Sequence, residues 1–274
     1  MSLYQTSNLR LALLRALPKS FANALQQHPS PIPIDVSKAH IQHEYYSSVV
    51  RENVDYAIDV DVDEKHPDCC FIEDTAIIVG RDVIITRIGA ESRREESRAV
   101  AKVLSDDSLK DFEFRMHQLV APACLDGGDV LQLGDKVFVG LSLRTNLAAI
   151  EQLEKILPGR IKTIPVGGGL HLKSVLSAID DTTLLAADSR VARQMAEEII
   201  SALEGKAQIF YVPDVVAANV VRLGPKLLIQ AGYPNSEKIL RKAALDRQME
   251  VITLDMSELV KADGALSCCS LLVP

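Results

Sequence analysis

The chain has 274 residues, 47% of them hydrophobic and 24% charged, enough apolar material for one large domain or two average ones. Its net charge of −7 and pI of about 5.4 argue against the basic stripe of a nucleic-acid binder, and no apolar run reaches the ~18 residues of a membrane span. Cys124 and two adjacent pairs, Cys69-Cys70 and Cys268-Cys269, show no CxxC spacing, so a reducing, cytoplasmic setting is expected rather than a disulfide framework.

Along the chain, Met1–Leu17 is polar and then amphipathic, without the apolar block and cleavage site of a secretion signal. It contains LRLALLRAL, an apolar strand candidate with almost nothing before it. Four stretches then repeat one pattern of strand, tight turn, strand, loop, helix. The first runs FIEDTAIIV, Gly80-Arg81-Asp82, VIITR and a helix from about Ser92 to Leu104. GGDVLQL, Gly134-Asp135, KVFVGLS and a helix over Thr145–Leu157 make the second. HLKSVLSAI, Asp180-Asp181, TTLLAA and a helix over Ser189–Leu203 make the third. There Val191, Met195, Ile199 and Leu203 recur every fourth residue, and Asp188 or Ser189 can cap the helix. The fourth runs AANVVRL, Gly224-Pro225, KLLIQAG and a helix over Asn235–Gln248, capped by Asn235 or Ser236. The chain ends on a strand, ALSCCSLLV, with only Pro274 after it.

Pairing that last strand with LRLALLRAL completes a fifth unit and closes a ring. A repeat of about fifty residues belongs to radial or stacked architectures, and closure through the end strands leaves no open edge. An ordinary α/β domain with several hairpins is the bland alternative. Five units fit the whole chain without a linker, so one domain over 1–274 is expected.

Polar residues gather at or just before the first strand of each unit. These are Asp68, Glu73 and Asp74; Asp126 and Asp129; His171 and Lys173; Asn219; and Asp263, Ser267 and Cys268. A solvated sheet face would explain alternating acids, but FIEDTAII and LDGGDVL set theirs among apolar residues, where an unpaired carboxylate is costly. Such acids need a cation, which a guanidinium substrate would supply. His171 alone reads as a core histidine and Cys268 alone as a buried thiol. Gly167, Gly168 and Gly169 before His171 permit close approach of a loop or ligand. Taken together, Cys268, His171 and a carboxylate form a nucleophile, base and orienting acid. Two arginine motifs enter helices, GAESRREE and LSLRTN, where the helix dipole does not favour a cation. Arg93 and Arg144 suit a carboxylate partner, whereas Arg94, beside Glu95 and Glu96, reads as a solvated surface charge.

PDCCFIED, ITRIGAESRR, LDGGDVL, VGLSLRTN, GLHLKS, AAN and KADGALSCCS, in that order from Asp68 to the C-terminus, resemble dimethylarginine dimethylaminohydrolases, and RALPKSF resembles the vertebrate-type enzymes. The resemblance implies the guanidino-modifying superfamily and an α/β fold: a five-bladed pseudo-symmetric propeller of ββαβ repeats closed by the N- and C-terminal strands. It implies Cys268 as nucleophile, His171 as proton shuttle and Asp126, in place of a glutamate found in some bacterial members, as its orienting acid. It further implies Glu73 and Asp74 on the guanidinium, Asp68 near the substrate amino group and Phe71 lining the pocket. Arg93 and Arg144 would grip the α-carboxylate, backbone around Ala262 and Asp263 would meet the amino-acid end, and Leu25 or Gln26 would supply a lid. The implied reaction hydrolyses asymmetric dimethylarginine or monomethylarginine to citrulline through a covalent thiouronium, without cofactor or metal. Zinc could inhibit at Cys268 and His171. A monomer or homodimer is expected, without nucleic-acid or membrane partners. The alternatives are an arginine or agmatine deiminase, the latter disfavoured by two arginines with no carboxylate to bind, and a non-catalytic partner-binding propeller.

Overall fold

The computed structural model describes residues 11–167 and 169–273. Leu9 and Arg10 of the first strand candidate, Gly168 and Pro274 lie outside them. The described residues begin with strand β1 (Leu11–Arg15), helix α1 (Val36–Arg51) and strand β2 (Tyr56–Val60). The next three-stranded unit is β3 (Ala76–Val79), β4 (Asp82–Ile85), α2 (Glu96–Leu104) and β5 (Arg115–Gln118). It is followed by β6 (Val130–Leu133), β7 (Lys136–Leu141), α3 (Leu147–Ile156) and β8 (Ile161–Pro165). Then come β9 (Leu176–Asp180), β10 (Thr183–Ala187), α4 (Arg190–Ala202) and β11 (Gln208–Val212). β12 (Val221–Leu223), β13 (Lys226–Gln230), α5 (Pro234–Leu245) and β14 (Glu250–Leu254) make the fourth. A short α6 (Ser257–Val260) leads to β15 (Leu271–Val273).

Among the described residues these strands make five separate three-stranded sheets. In each, the inner strand runs antiparallel to the middle one, and a helix crossover brings the outer strand in parallel. The fifth sheet, β15-β1-β2, joins the two ends of the chain: Leu11 pairs with Val273 and Leu13 with Leu271. The architecture is the closed ring of five units anticipated from the repeats and the five-bladed α/β propeller that the family resemblance implies. The first two hairpins turn on Gly80 and Gly134, at φ of 64° and 62°, where a side chain would be strained.

The inner strands are short and almost wholly buried, which is why they read as continuous apolar runs. Helices lie outside with one apolar face inward. On α4 that face is Ala192, Met195, Ala196 and Ile199. Val191 of the anticipated stripe is instead exposed, since it falls one residue outside the buried face. Ser189 caps α4 by accepting from Ala192 N. No side chain caps α5, which starts with Pro234 at its first turn; Ser236, anticipated as a cap, lies inside the helix and donates to Asp214.

Candidate active site

The residues FIED, GGD, LKS, VAA and SCC are not strand. Each falls in or forms one 3₁₀ turn directly ahead of or close to an inner strand: Ile72–Thr75, Gly127–Asp129, Leu172–Ser174, Val216–Ala218 and Ser267–Cys269. The repeat therefore delivers five tight turns to one end of the ring. A 3₁₀ turn eclipses side chains at i and i+3 and leaves backbone groups open to side-chain partners, which suits it to gathering polar groups.

Asp126 precedes the second turn and is wholly buried. Its Oδ2 lies 2.9 Å from His171 Nε2, and its Oδ1 accepts from Gly89 N at 2.7 Å. Asp129 accepts from Leu172 N at 2.8 Å and from the Ser142 and Thr145 hydroxyls, both at 2.6 Å. It thereby ties the second unit to the turn that bears His171. Burial alone would lower the His171 pKa, but the charge of Asp74, the Asp126 hydrogen bond and the charge of Asp129 raise it to about 9. The imidazole is therefore cationic at neutral pH. Asp74 is held low: burial opposes ionisation, and the His171 and Arg93 charges outweigh it.

Cys268 lines a cavity of about 180 Å³ together with His171, Glu73, Lys173, Asn219 and Asp263. Burial, and then the Glu73 and Asp74 charges, push its thiol up, which favours the protonated form. Its neighbour Cys269 is fully buried and faces the backbone, with Sγ 3.6 Å from Ala265 O. Glu73 pairs with Lys173 and accepts from Ser267 Oγ at 3.0 Å. Asn219 holds Ser267 through both backbone and side chain, at 3.0 Å each. Glu73, Lys173 and Ser267 also line a second cavity, of about 140 Å³, reached from the inner strands. They form a partition between the two.

Asp68 is buried, and its carboxylate accepts from Leu25 N at 3.0 Å. Asp263 adopts φ of 58° and accepts from Gln27 N at 2.5 Å. The segment expected to act as a lid is thus pinned at two carboxylates; Gln26 turns back on Ser30 N. Phe71 is buried edge-on to Phe21 and fills the space beside Gly264, while Ala262 is buried behind it.

The arginines differ. Arg144 Nη1 is buried without a hydrogen-bond partner among the described residues, 3.7 Å from Asp126 Oδ2. Arg93 is committed inside the protein, to Asp74 at 2.7 Å and to Glu96 at 2.9 Å. The acids expected to await a guanidinium thus already have cations, Arg93 for Asp74 and Lys173 for Glu73. Glu96, read from sequence as a surface neighbour of Arg94, is a buried partner of Arg93, and its i+3 spacing was the available signal. Asp74, Asp126 and His171 present ligand atoms within 4.8 Å of one another. Cys268, expected with His171 to capture zinc, is not in that group.

Residues 36–221 match the arginine deiminase family, more than half of the chain. The chain is 30% identical to an N(G),N(G)-dimethylarginine dimethylaminohydrolase of Streptomyces coelicolor, over 94% of this chain and 95% of that one. It is 31% identical to the Pseudomonas aeruginosa protein of that name, over 86% and 89%. A crystal structure of the P. aeruginosa protein, a cysteine-to-serine mutant complexed with citrulline, superposes with a TM-score of 0.81 at 28% identity, covering 97% of this chain and 99% of that one. With the propeller and its turn-borne polar centre, these matches establish that the chain belongs to the dimethylarginine dimethylaminohydrolase family.

Proposed function

We propose that the chain hydrolyses N-omega-methylated arginines, asymmetric dimethylarginine and monomethylarginine, to citrulline and dimethylamine or methylamine. It is a hydrolase of guanidino C–N bonds. The observation that carries the reading is the 2.9 Å His171–Asp126 pair opening onto the cavity that Cys268 lines, with Glu73 on the same wall.

Glu73 and Asp74 dock the planar cation so that its central carbon faces Cys268 Sγ. Docking also activates the thiol. Burial, and then the Glu73 and Asp74 charges, push it up; the arriving guanidinium offsets the two charges, and the thiol releases its proton to solvent as it becomes the nucleophile. The S–C bond forms, His171 gives its proton to the departing amine and the C–N bond breaks, leaving a covalent thiouronium. Water then attacks that carbon and passes one proton to His171; the S–C bond breaks as the second proton goes to sulfur, which releases citrulline and restores the thiol. Asp126 orients the imidazole and favours its cation. Substrate charge on Asp74 removes the largest influence raising the His171 pKa, which makes the imidazolium a better acid when it must act.

At the amino-acid end, Asp68 and backbone near Ala262 and Asp263 meet the α-amino group. Phe71 lines the wall, and Arg144 takes the α-carboxylate with its Nη1, unpartnered among the described residues, whereas Arg93, the second arginine expected there, is held by Glu96 and Asp74 at the guanidinium end. Leu25 or Gln26 closes the lid. We take 1–274 as one catalytic unit.

The test is citrulline production from asymmetric dimethylarginine, with monomethylarginine, arginine and agmatine in parallel. Turnover of methylated arginines that disappears in Cys268→Ser is expected. Binding without turnover in the wild type, or undiminished turnover in Cys268→Ser, refutes the reading. Arginine is the second candidate substrate, since the matched family is arginine deiminase.

A further inference from the structure

We propose that Glu96 is a positioning residue of the reaction: its buried carboxylate holds one edge of the Arg93 guanidinium so that the opposite nitrogen, Nη1, fixes Asp74 where the substrate guanidinium docks. The inference rests on the reading of Asp74 as a guanidinium-binding acid.

Glu96 stands on the first turn of α2, its side chain fully removed from solvent. Both of its oxygens accept from Arg93 Nε, at 3.1 and 3.2 Å, and Oε2 also accepts from Nη2 at 2.9 Å. This fork-to-fork geometry fixes the guanidinium plane as well as its position. Nη2 donates in addition to Phe71 O at 3.2 Å. The remaining corner, Nη1, donates to Asp74 Oδ2 at 2.7 Å, while Gly128 N holds Asp74 Oδ1 at 3.0 Å. Asp74 is thus clamped from two sides, and one clamp is only as well placed as Glu96 makes it. Glu96 is itself tethered: Arg15 on β1 donates to its backbone oxygen at 3.3 Å and to Asp61 O at 2.7 Å.

Charge gives the second reason. Arg93 and Asp74 alone would be a neutral pair, with little pull on a cationic substrate. Glu96 restores one net negative charge to the trio, so that Asp74 can be held by an arginine and still attract a guanidinium. A buried Arg93 facing only Asp74 would spend that carboxylate on itself.

The experiment compares wild type with Glu96→Gln, which keeps the shape and removes the charge. Two quantities are read: kcat/KM for asymmetric dimethylarginine, and the calorimetric Kd of agmatine, a guanidine with no α-carboxylate. Both are expected to weaken by about tenfold, because the trio acts at the guanidinium end. A loss confined to dimethylarginine would place Glu96 and Arg93 at the carboxylate end and overturn the proposal. So would unchanged values per folded protein with only a lower Tm. If Glu96→Gln does not fold, Arg93→Lys replaces it, since a point cation cannot serve Glu96 and Asp74 together; the same paired loss is expected, and a loss for dimethylarginine alone refutes. Wild-type protein that turns over no methylarginine would defeat the proposed function instead. The agmatine titration reads the role of Glu96 even then.

Discussion

Gly128 offers a sharp test of how closely the site is built. A Cβ at this position would stand 2.6 Å from His171 Nδ1, 2.9 Å from its Cγ and 3.2 Å from Asp74 Oδ1. Ordinary contact begins at 3.4 Å, so Gly128→Ala must drive the imidazole back by about 0.8 Å. The ring has nowhere to go without stretching its 2.9 Å bond to the wholly buried Asp126. Overpacking of this kind costs about 1–3 kcal/mol of stability, whereas a displacement of about 1 Å at a reacting group costs roughly a hundredfold in rate. Activity should therefore suffer more than the fold. The assay is kcat for citrulline formation beside the thermal midpoint, with Gly127→Ala for contrast. There the added Cβ would meet the Glu73 backbone oxygen at 2.0 Å, and because backbone cannot yield as a ring does, stability should collapse. Gly128→Ala with wild-type kcat would refute the view that His171 is held in a single working position.

Two further outcomes follow from the charges. Asp126→Asn removes one of the groups that raise the His171 pKa to about 9. The variant should lose about a hundredfold in kcat, and the basic limb of its kcat/KM–pH profile, which reads the free enzyme and lies near pH 9 in the wild type, should move to lower pH; an unmoved limb contradicts the assignment. His43 on α1 is buried with Nε2 unpartnered among the described residues, and burial with the nearby His40 and Arg51 charges lowers its pKa to about 4. Its folded pKa lies below the unfolded value of about 6.5, so protonation costs stability as pH falls through that window, about 2 kcal/mol by pH 5. His43→Leu should therefore show a smaller drop in Tm between about pH 7 and pH 5, and an equal drop would refute the reasoning.

The hairpins, their helices and the closure of the ring were legible in the sequence because apolar periodicity and turn glycines are local signals. The third strand of each sheet was not read from the repeats. β5, β8, β11 and β14 are short outer strands, β5 and β8 mostly exposed and β11 and β14 half-buried, and their place comes from pairing with a middle strand. Helix α1, with weak amphipathicity, escaped for a similar reason. FIED and HLKS read as strand because they continue apolar runs, yet both lie in turns, since the buried acids and His171 need backbone free to hydrogen-bond with side chains. Cys268, His171 and Glu73 were recognisable as one set by their equivalent positions in the repeat. The commitment of Arg93 was not, because Glu95 and Glu96 are adjacent in sequence and only the start of α2 decides which faces inward.

The fifth sheet has a consequence for how the molecule comes to exist. Leu11 and Val273 pair across about 260 residues, a contact of very high order that a folding chain reaches late. Among the described residues the strand that follows Cys268 pairs only with β1 in its sheet. Four blades can form from neighbours in sequence while the thiol is still unplaced. With Cys268 as the proposed nucleophile, catalytic competence arrives with the final long-range contact, after the rest of the propeller.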